Sequence, residues 1–190
     1  MYSDCMDKPN IIVEMADDAG VADMGCYNSN SPVPTPNIDK IASEGVKFCN
    51  AYSPGTVCTQ TRYALLTGQY HFRTDHSGEG VIFDYTDSLL DGKDTIQQYL
   101  KRKGYNTYCS GKWHLGIDWS ERVGEGDGTF RNDVIDFSSK FEGPTTEGFD
   151  KYYGIRASLD HPPYCFLEDN HVVGHPTRKR SLLQSAKSRT

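Results

Sequence analysis

Thr35–Tyr52, TPNIDKIASEGVKFCNAY, reads as a helix handed on to a strand, and that reading sets the fold class. Thr35 and Pro36 open the helix in the favoured order, a hydroxyl at the cap and a proline in the first turn. Ile38, Ile41 and Ala42 fall on one face, Gly45 stops the run, and Val46–Tyr52 alternates loosely as a strand. Upstream, Asn10–Met15 (NIIVEM) is a short apolar run between Pro9 and the acidic pair Asp17-Asp18, and it reads as a buried strand. Glu14 is its odd residue, because a charge inside a buried strand is costly unless paired, so it marks an edge or a defect. Strand, helix, strand is the unit that builds parallel sheets through crossover connections.

The pattern continues downstream. Thr59–Leu66 reads as a short helix closed by Gly68. Thr95 and Gln98 form a capping box ahead of Ile96, Tyr99 and Leu100, with Gly104 as the stop. Tyr105–Cys109 reads as a strand running into Gly111–Gly116, GKWHLG. Ile117–Gly148 is rich in Gly, Asp and Ser with little period, which implies loops with one short element around Asp133–Phe137. The expected fold class is α/β, a mostly parallel sheet with helices on both faces.

Composition bounds the rest. Of 190 residues, Leu, Ile, Val and Phe supply only 37, so core-forming side chains are scarce, while a net charge of −6 is too small for wholesale disorder. No run approaches the ~18 apolar residues of a membrane helix. Met1–Asn10 lacks the basic-then-apolar layout of a secretory signal, which leaves the compartment unassigned. An acidic chain disfavours nucleic-acid binding. The six cysteines, 5, 26, 49, 58, 109 and 165, form no CxxC pair, which argues against a zinc knuckle or a dense disulfide scaffold. Charge is uneven: residues 177–190 carry +5 and residues 1–176 carry −11, so two segments are expected, a folded portion over 1–176 and a basic, disordered tail over 177–190.

In open α/β sheets ligands gather beyond the carboxyl ends of strands, and three segments bring polar groups to such places. Asp17 and Asp18 follow the first strand; adjacent hard carboxylates suit Ca²⁺ or Mg²⁺, and equally a solvated turn or helix cap. Cys58 begins the Thr59 helix, so free N–H groups point at its sulfur, and Arg62 lies one turn up the same face. Such surroundings make a thiol reactive. The spacing from Cys58 to Arg62 is too short for the common cysteine-phosphatase loop, and a buried inert cysteine with a surface arginine reads the segment as well. Lys112 and His114 lie two apart, which in extended chain puts an ammonium and an imidazole on one side and Trp113 on the other. The other histidines, 71, 76, 161, 171 and 175, show no tight metal spacing.

Taken in order, these segments resemble the N-terminal part of a sulfatase of the arylsulfatase branch of the alkaline-phosphatase-like superfamily. The resemblance runs from about Lys8 to Pro176, through PNIIV-x-MADD (9–18), TPNID (35–39), EGVKF (44–48), NAYSP (50–54), VCT-x-x-R (57–62) with ALLTG (64–68), GKWHLG (111–116), GFD (148–150) and YG (153–154). It implies that Cys58 is the position a formylglycine-generating enzyme oxidises to formylglycine. One hydroxyl of the hydrated aldehyde attacks the sulfur of a sulfate ester and the other expels sulfate. It further implies a divalent metal, calcium in most relatives, held partly by Asp17, Asp18 and residue 58. Arg62 and Lys112 then hold the developing charge, and His114 assists deprotonation. The implied substrate is a sulfated small molecule or sulfated carbohydrate, and relatives are usually secreted, periplasmic or lysosomal.

Two departures accompany the resemblance. The family's modification motif is Cys-x-Pro-x-Arg, sometimes with alanine for proline, whereas Gln60 stands at the third position here. Relatives are also longer and supply a second Asp-Asn metal pair and leaving-group residues further on, so a truncated N-terminal portion is expected. Conversion of Cys58 would leave five cysteines, hence at least one free thiol. Two other readings stay open, a non-catalytic remnant that binds metal or a sulfated ligand, and a phosphate or phosphonate monoester hydrolase of the same superfamily. Residues 158–165 are expected to form a rim loop carrying His161 as a substrate contact.

Overall fold

The computed structural model describes residues 8–74, 87–120, 135–159, 161–174 and 176. The segment 177–190, His76, His175 and the first two residues of the element expected at Asp133–Phe137 lie outside them. The chain divides into two compact units, Met1–Tyr52 and Ser53–Thr190.

The first unit holds a 3-10 turn at Val21–Asp23 and helix α1, Pro36–Glu44. The helix begins and ends where Thr35-Pro36 and Gly45 put it, with the Gly45 N–H donating to the Ile41 carbonyl at 2.9 Å. Thr35 works across the chain rather than as a simple cap. Its hydroxyl accepts from the Gly25 N–H at 2.8 Å and donates to Asp39 Oδ1 at 3.0 Å, and the same oxygen accepts from the Cys26 N–H at 2.7 Å. After the helix, the Tyr27 hydroxyl donates to the Phe48 carbonyl at 2.8 Å and Lys47 Nζ to the Cys26 carbonyl at 2.9 Å.

The two strands expected on either side of α1 are not formed. Asn10–Met15 and Val46–Tyr52 join no ladder among the described residues and stay largely exposed, Ile12 at 84%. A strand is stable only as a member of a sheet with an apolar face, and local apolar content cannot supply the partner. Over residues 10–52 the expected strand–helix–strand unit is therefore one helix between irregular segments.

The second unit contains α2 (Cys58–Thr67), a 3-10 turn (His71–Arg73), α3 (Ile96–Arg102), β1 (Tyr108–Lys112), β2 (Asp118–Trp119), β3 (Phe141–Glu142), β4 (Lys151–Ile155), β5 (Phe166–Glu168) and β6 (His171–Val173). Gly68 closes α2, donating to the Ala64 carbonyl at 2.9 Å. At α3, Gln98 Oε1 accepts from the Thr95 N–H at 3.2 Å, the reach-back expected of a capping box. β1 starts three residues later than the sequence pattern suggests and takes in Gly111 and Lys112.

The main sheet runs β1-β4-β5-β6. β1 and β4 pair in parallel with Cys109 opposite Tyr152 and Gly111 opposite Gly154, while β4–β5 and β5–β6 are antiparallel. The class is α/β as expected, with a mixed sheet whose parallel pairing is confined, among the described residues, to one ladder. β5 and β6 are joined through Asp169-Asn170, a connection that only antiparallel neighbours can use. Gly154 is required at the β1–β4 contact, because a Cβ there would run into the Gly111 carbonyl.

The core draws on α2, the Leu89-Leu90 turn, the chain after β1 and the sheet, and the GKWHLG segment contributes Trp113 and Leu115 to it. Trp113, Leu115 and Ile117 pack with Leu90, Tyr63, Tyr152, Phe141 and Leu167. Residues 117–148 thus do more than loop. Trp119, Ile135 and Phe141 are buried there, and β2 and β3 form a short antiparallel ladder. Single buried aromatics in short ladders leave no period for a sequence pattern to detect. The Leu89 N–H donates to the Leu115 carbonyl at 2.9 Å, which fixes the Asp87–Leu90 segment against the chain just past His114.

Candidate active site

Cys58 is the first residue of α2, with Val57 at the cap. The strap ahead of it is tied down locally: the Ser53 and Thr61 hydroxyls both donate to the Gly55 carbonyl, at 2.8 and 3.2 Å. The free N–H groups of the first helical turn are thereby fixed around residue 58, where they favour negative charge. Gln60 packs on Gly55, where an added Cβ would lie 2.5 Å from the Gln60 Cβ.

β1 ends at Lys112, and the chain then turns sharply, with His114 in left-handed backbone at φ 59°. That turn replaces the extended-chain alternation from which Lys112 and His114 were expected to face one side. His114 is instead held from two directions. Its N–H donates to the Arg156 carbonyl at 2.7 Å, and its carbonyl accepts the buried Thr59 hydroxyl at 3.2 Å. The imidazole is 1% exposed, and its Nδ1 lies 3.2 Å from Cys58 Sγ, a donor–acceptor pair whose direction is set by the ring tautomer. Residues 56 positions apart in sequence thus meet at the helix N-terminus.

Arg62 is one turn further along α2. Its Nη1 donates to the Lys112 carbonyl, which anchors the guanidinium to the end of β1. Its Nε is buried and has no hydrogen-bond partner among the described residues. A buried donor left open is costly, and an anion's oxygen would satisfy it. The Arg62 charge is also felt within the sheet. Burial pushes the Cys109 thiol up to about 11 while Arg62 pulls against it, and burial drives the Tyr152 hydroxyl well above the usual tyrosine range. The Tyr152 hydroxyl lies 2.8 Å from the Gly111 carbonyl and 3.0 Å from that of Ile155, bracing the end of β1.

The second unit therefore gathers Cys58, Arg62, the Lys112 backbone and His114. Asp17 and Asp18 belong to the first unit, at an exposed bend with Asp18 at φ 56°. Their oxygens are of the type calcium takes, but calcium takes ~6–8 of them. Among the described residues no group of three or more His, Cys, Asp or Glu side chains is gathered as a ligand set. The pair fits as part of a metal site and not as the whole of one. Thr59, Tyr152 and Arg156 were not visible as site residues in the sequence. No sequence signal marked them, since β4 (KYYGI) carries no apolar run that would place Arg156 at a strand end.

The Sulfatase family profile matches residues 9–186. The chain is 38% identical to an N-acetylgalactosamine-6-O-sulfatase of Bacteroides thetaiotaomicron, over 88% of this chain and 30% of that protein. It is 35% identical to human arylsulfatase H, over 92% of this chain and 28% of that protein. A solved structure from work on the metabolism of multiple glycosaminoglycans by Bacteroides thetaiotaomicron superposes with a TM-score of 0.71 at 36% identity, covering 88% of this chain and 32% of that one. The chain thus spans about 30% of the length of the relatives it matches. Among the described residues no helix is long and apolar enough to cross a membrane.

Proposed function

Because the chain belongs to the sulfatase family, we propose that it carries the nucleophile-bearing part of a sulfuric ester hydrolase of the arylsulfatase type. Residues 1–176 form the N-terminal portion of the catalytic domain on this reading, and 177–190 a basic tail. The observation that carries it is the 3.2 Å contact of Cys58 Sγ with His114 Nδ1 at the start of α2, with the open Nε of Arg62 one turn away.

Each residue then has a role, supported by local geometry for Cys58, Arg62 and His114 and by residue chemistry for Lys112, Asp17 and Asp18. Formylglycine made from Cys58 by a formylglycine-generating enzyme would supply an aldehyde whose hydrate offers one hydroxyl to attack sulfur and a second to expel sulfate as the aldehyde re-forms. His114 Nδ1 takes or returns the proton at residue 58, and its buried, doubly anchored backbone keeps it there. Arg62 and Lys112 neutralise the sulfate's charge, while the helical N–H groups add a fixed positive field. That local field is needed, since a body carrying −11 over residues 1–176 would otherwise repel an anionic ester. Asp17 and Asp18 would contribute two oxygens toward Ca²⁺ or Mg²⁺, a hard Lewis acid able to polarise sulfate oxygens. The substrate is a sulfated carbohydrate or a sulfated small molecule, consistent with the names of the relatives.

One observation favours a second reading. With Gln60 at the third position of Cys-Thr-Gln-Thr-Arg, residue 58 departs from the motif the maturation enzyme reads, and an unconverted thiol leaves an anion-binding but non-hydrolytic site. Mass spectrometry of the peptide containing residue 58 separates the two. The hydrolase reading expects exchange of one sulfur and two hydrogens for one oxygen, together with loss of aryl-sulfate hydrolysis in Cys58→Ala. Intact thiol throughout, or full turnover by Cys58→Ala, would overturn it.

A further inference from the structure

The loop after β4 carries a second imidazole to the first. The ring of His161 lies 5.4 Å from that of His114, centroid to centroid, with the planes inclined at 44°. The approach is built into the backbone. The His114 N–H donates to the Arg156 carbonyl at 2.7 Å, and the Arg156 side chain donates from Nη2 to the Pro162 carbonyl at 2.6 Å. The His161 N–H closes the loop on the Ser158 carbonyl at 3.0 Å. One residue, Arg156, therefore touches both the histidine at the end of β1 and the residue next to His161.

Arg156 is 2% exposed. Withdrawing a guanidinium from water costs several kcal/mol unless it is hydrogen-bonded, and the bond to the Pro162 carbonyl offsets part of that cost while tying the loop to the residue after β4. Exposure also grades outward along this path. His114 is buried, His161 is partly exposed, and Tyr164 is exposed. His161 therefore keeps contact with solvent beside a ring that does not. A sulfate monoester presents only acceptor oxygens, and an imidazole in either tautomer has an N–H to offer.

We infer that His161 is a substrate-contact residue, donating a hydrogen bond to an oxygen of the sulfate ester seated beside His114, and that Arg156 is the positioning residue that keeps it there. The inference rests on the sulfate-ester reading of the site.

The test uses the full chain with inorganic sulfate as the probe, its dissociation constant read from the histidine ring resonances of the NMR spectrum. His161→Ala is expected to weaken sulfate by about tenfold, the size of one hydrogen bond to a charged group. His161→Gln, which keeps an N–H donor, is expected to recover most of that loss. For Arg156, Arg156→Lys is expected to retain tighter sulfate binding than Arg156→Ala, with the thermal melt of each variant separating misplacement from unfolding. Equal sulfate binding by wild type and a folded His161→Ala chain would overturn the assignment of His161 and leave the sulfate-ester reading standing. A wild-type chain that shows no response to sulfate at its histidines would overturn both.

Discussion

In the Met1–Tyr52 unit every described residue keeps at least partial exposure, whereas the Ser53–Thr190 unit closes on Leu90, Ile117 and Leu167, each at 0%. Both contain apolar runs. NIIVEM in the first is as rich in apolar residues as β5 or β6 of the second, yet the second makes the core. What differs is partnership: β1 and β4 supply each other with a ladder and a shared buried face, and Asn10–Met15 has neither among the described residues. The first unit is held instead by polar ties converging on Asp39, Thr35 and Tyr27. The candidate chemistry follows the same division. Cys58, Arg62 and His114 sit on packed elements with fixed separations, while Asp17 and Asp18 lie on an exposed bend.

The sharpest way to break this contrast is to cut the same kind of side chain from each unit. Leu167→Ala removes a fully buried branch from β5 and is expected to cost about 2–5 kcal/mol, read as a lower urea midpoint. Ile12→Ala, at a position 84% exposed, is expected to stay within about 0.5 kcal/mol. Similar losses at the two sites would mean that NIIVEM is buried after all.

A smaller effect probes what holds the first unit. Asp39→Ala removes the acceptor of the Cys26 N–H and of the Thr35 hydroxyl, and is expected to cost about 1–2 kcal/mol locally. Amide exchange at Cys26 should then quicken several-fold. An unchanged rate would show that the polar ties are not what orders the turn ahead of α1.

The least effect is a pH dependence, and it requires burial. Glu147 is half-buried and takes a hydrogen bond from the Ser88 hydroxyl. Burial raises its carboxyl above the ordinary glutamate value; Ser88 works against that, while Asp118, Asp91 and Glu142 add to it. A carboxyl whose folded value is raised is better tolerated protonated, so its contribution is full below the ordinary glutamate range and is lost as pH rises through the raised value. Glu147→Gln is expected to flatten that part of the stability–pH curve. A variant curve parallel to wild type would remove Glu147 as its source.

The helices were legible in the sequence and the strands largely were not, for one physical reason. Thr35-Pro36, Gly45, Gly68 and the Thr95–Gln98 pair act within a turn or two of themselves, so their meaning is local. Strand pairing is decided by residues far along the chain. Nothing near Tyr108 says that it pairs with Lys151, and β5 and β6 gave no sign beyond short apolar runs. The site divides likewise. Cys58 and Arg62 were readable from a four-residue spacing on one helix, but the His114 contact depends on a backbone turn that no alternation rule anticipates. Arg156, which touches both His114 and the rim, became visible only once β4 had a place.

The left-handed backbone at His114 has an energetic consequence. That conformation suits glycine and asparagine best and costs most other residues of order 1–3 kcal/mol. The easiest occupants of position 114 from the standpoint of folding have no imidazole. Exchange of His114 for glycine or asparagine would ease the backbone at this corner while removing the ring that meets Cys58, so the two demands on position 114 pull in opposite directions.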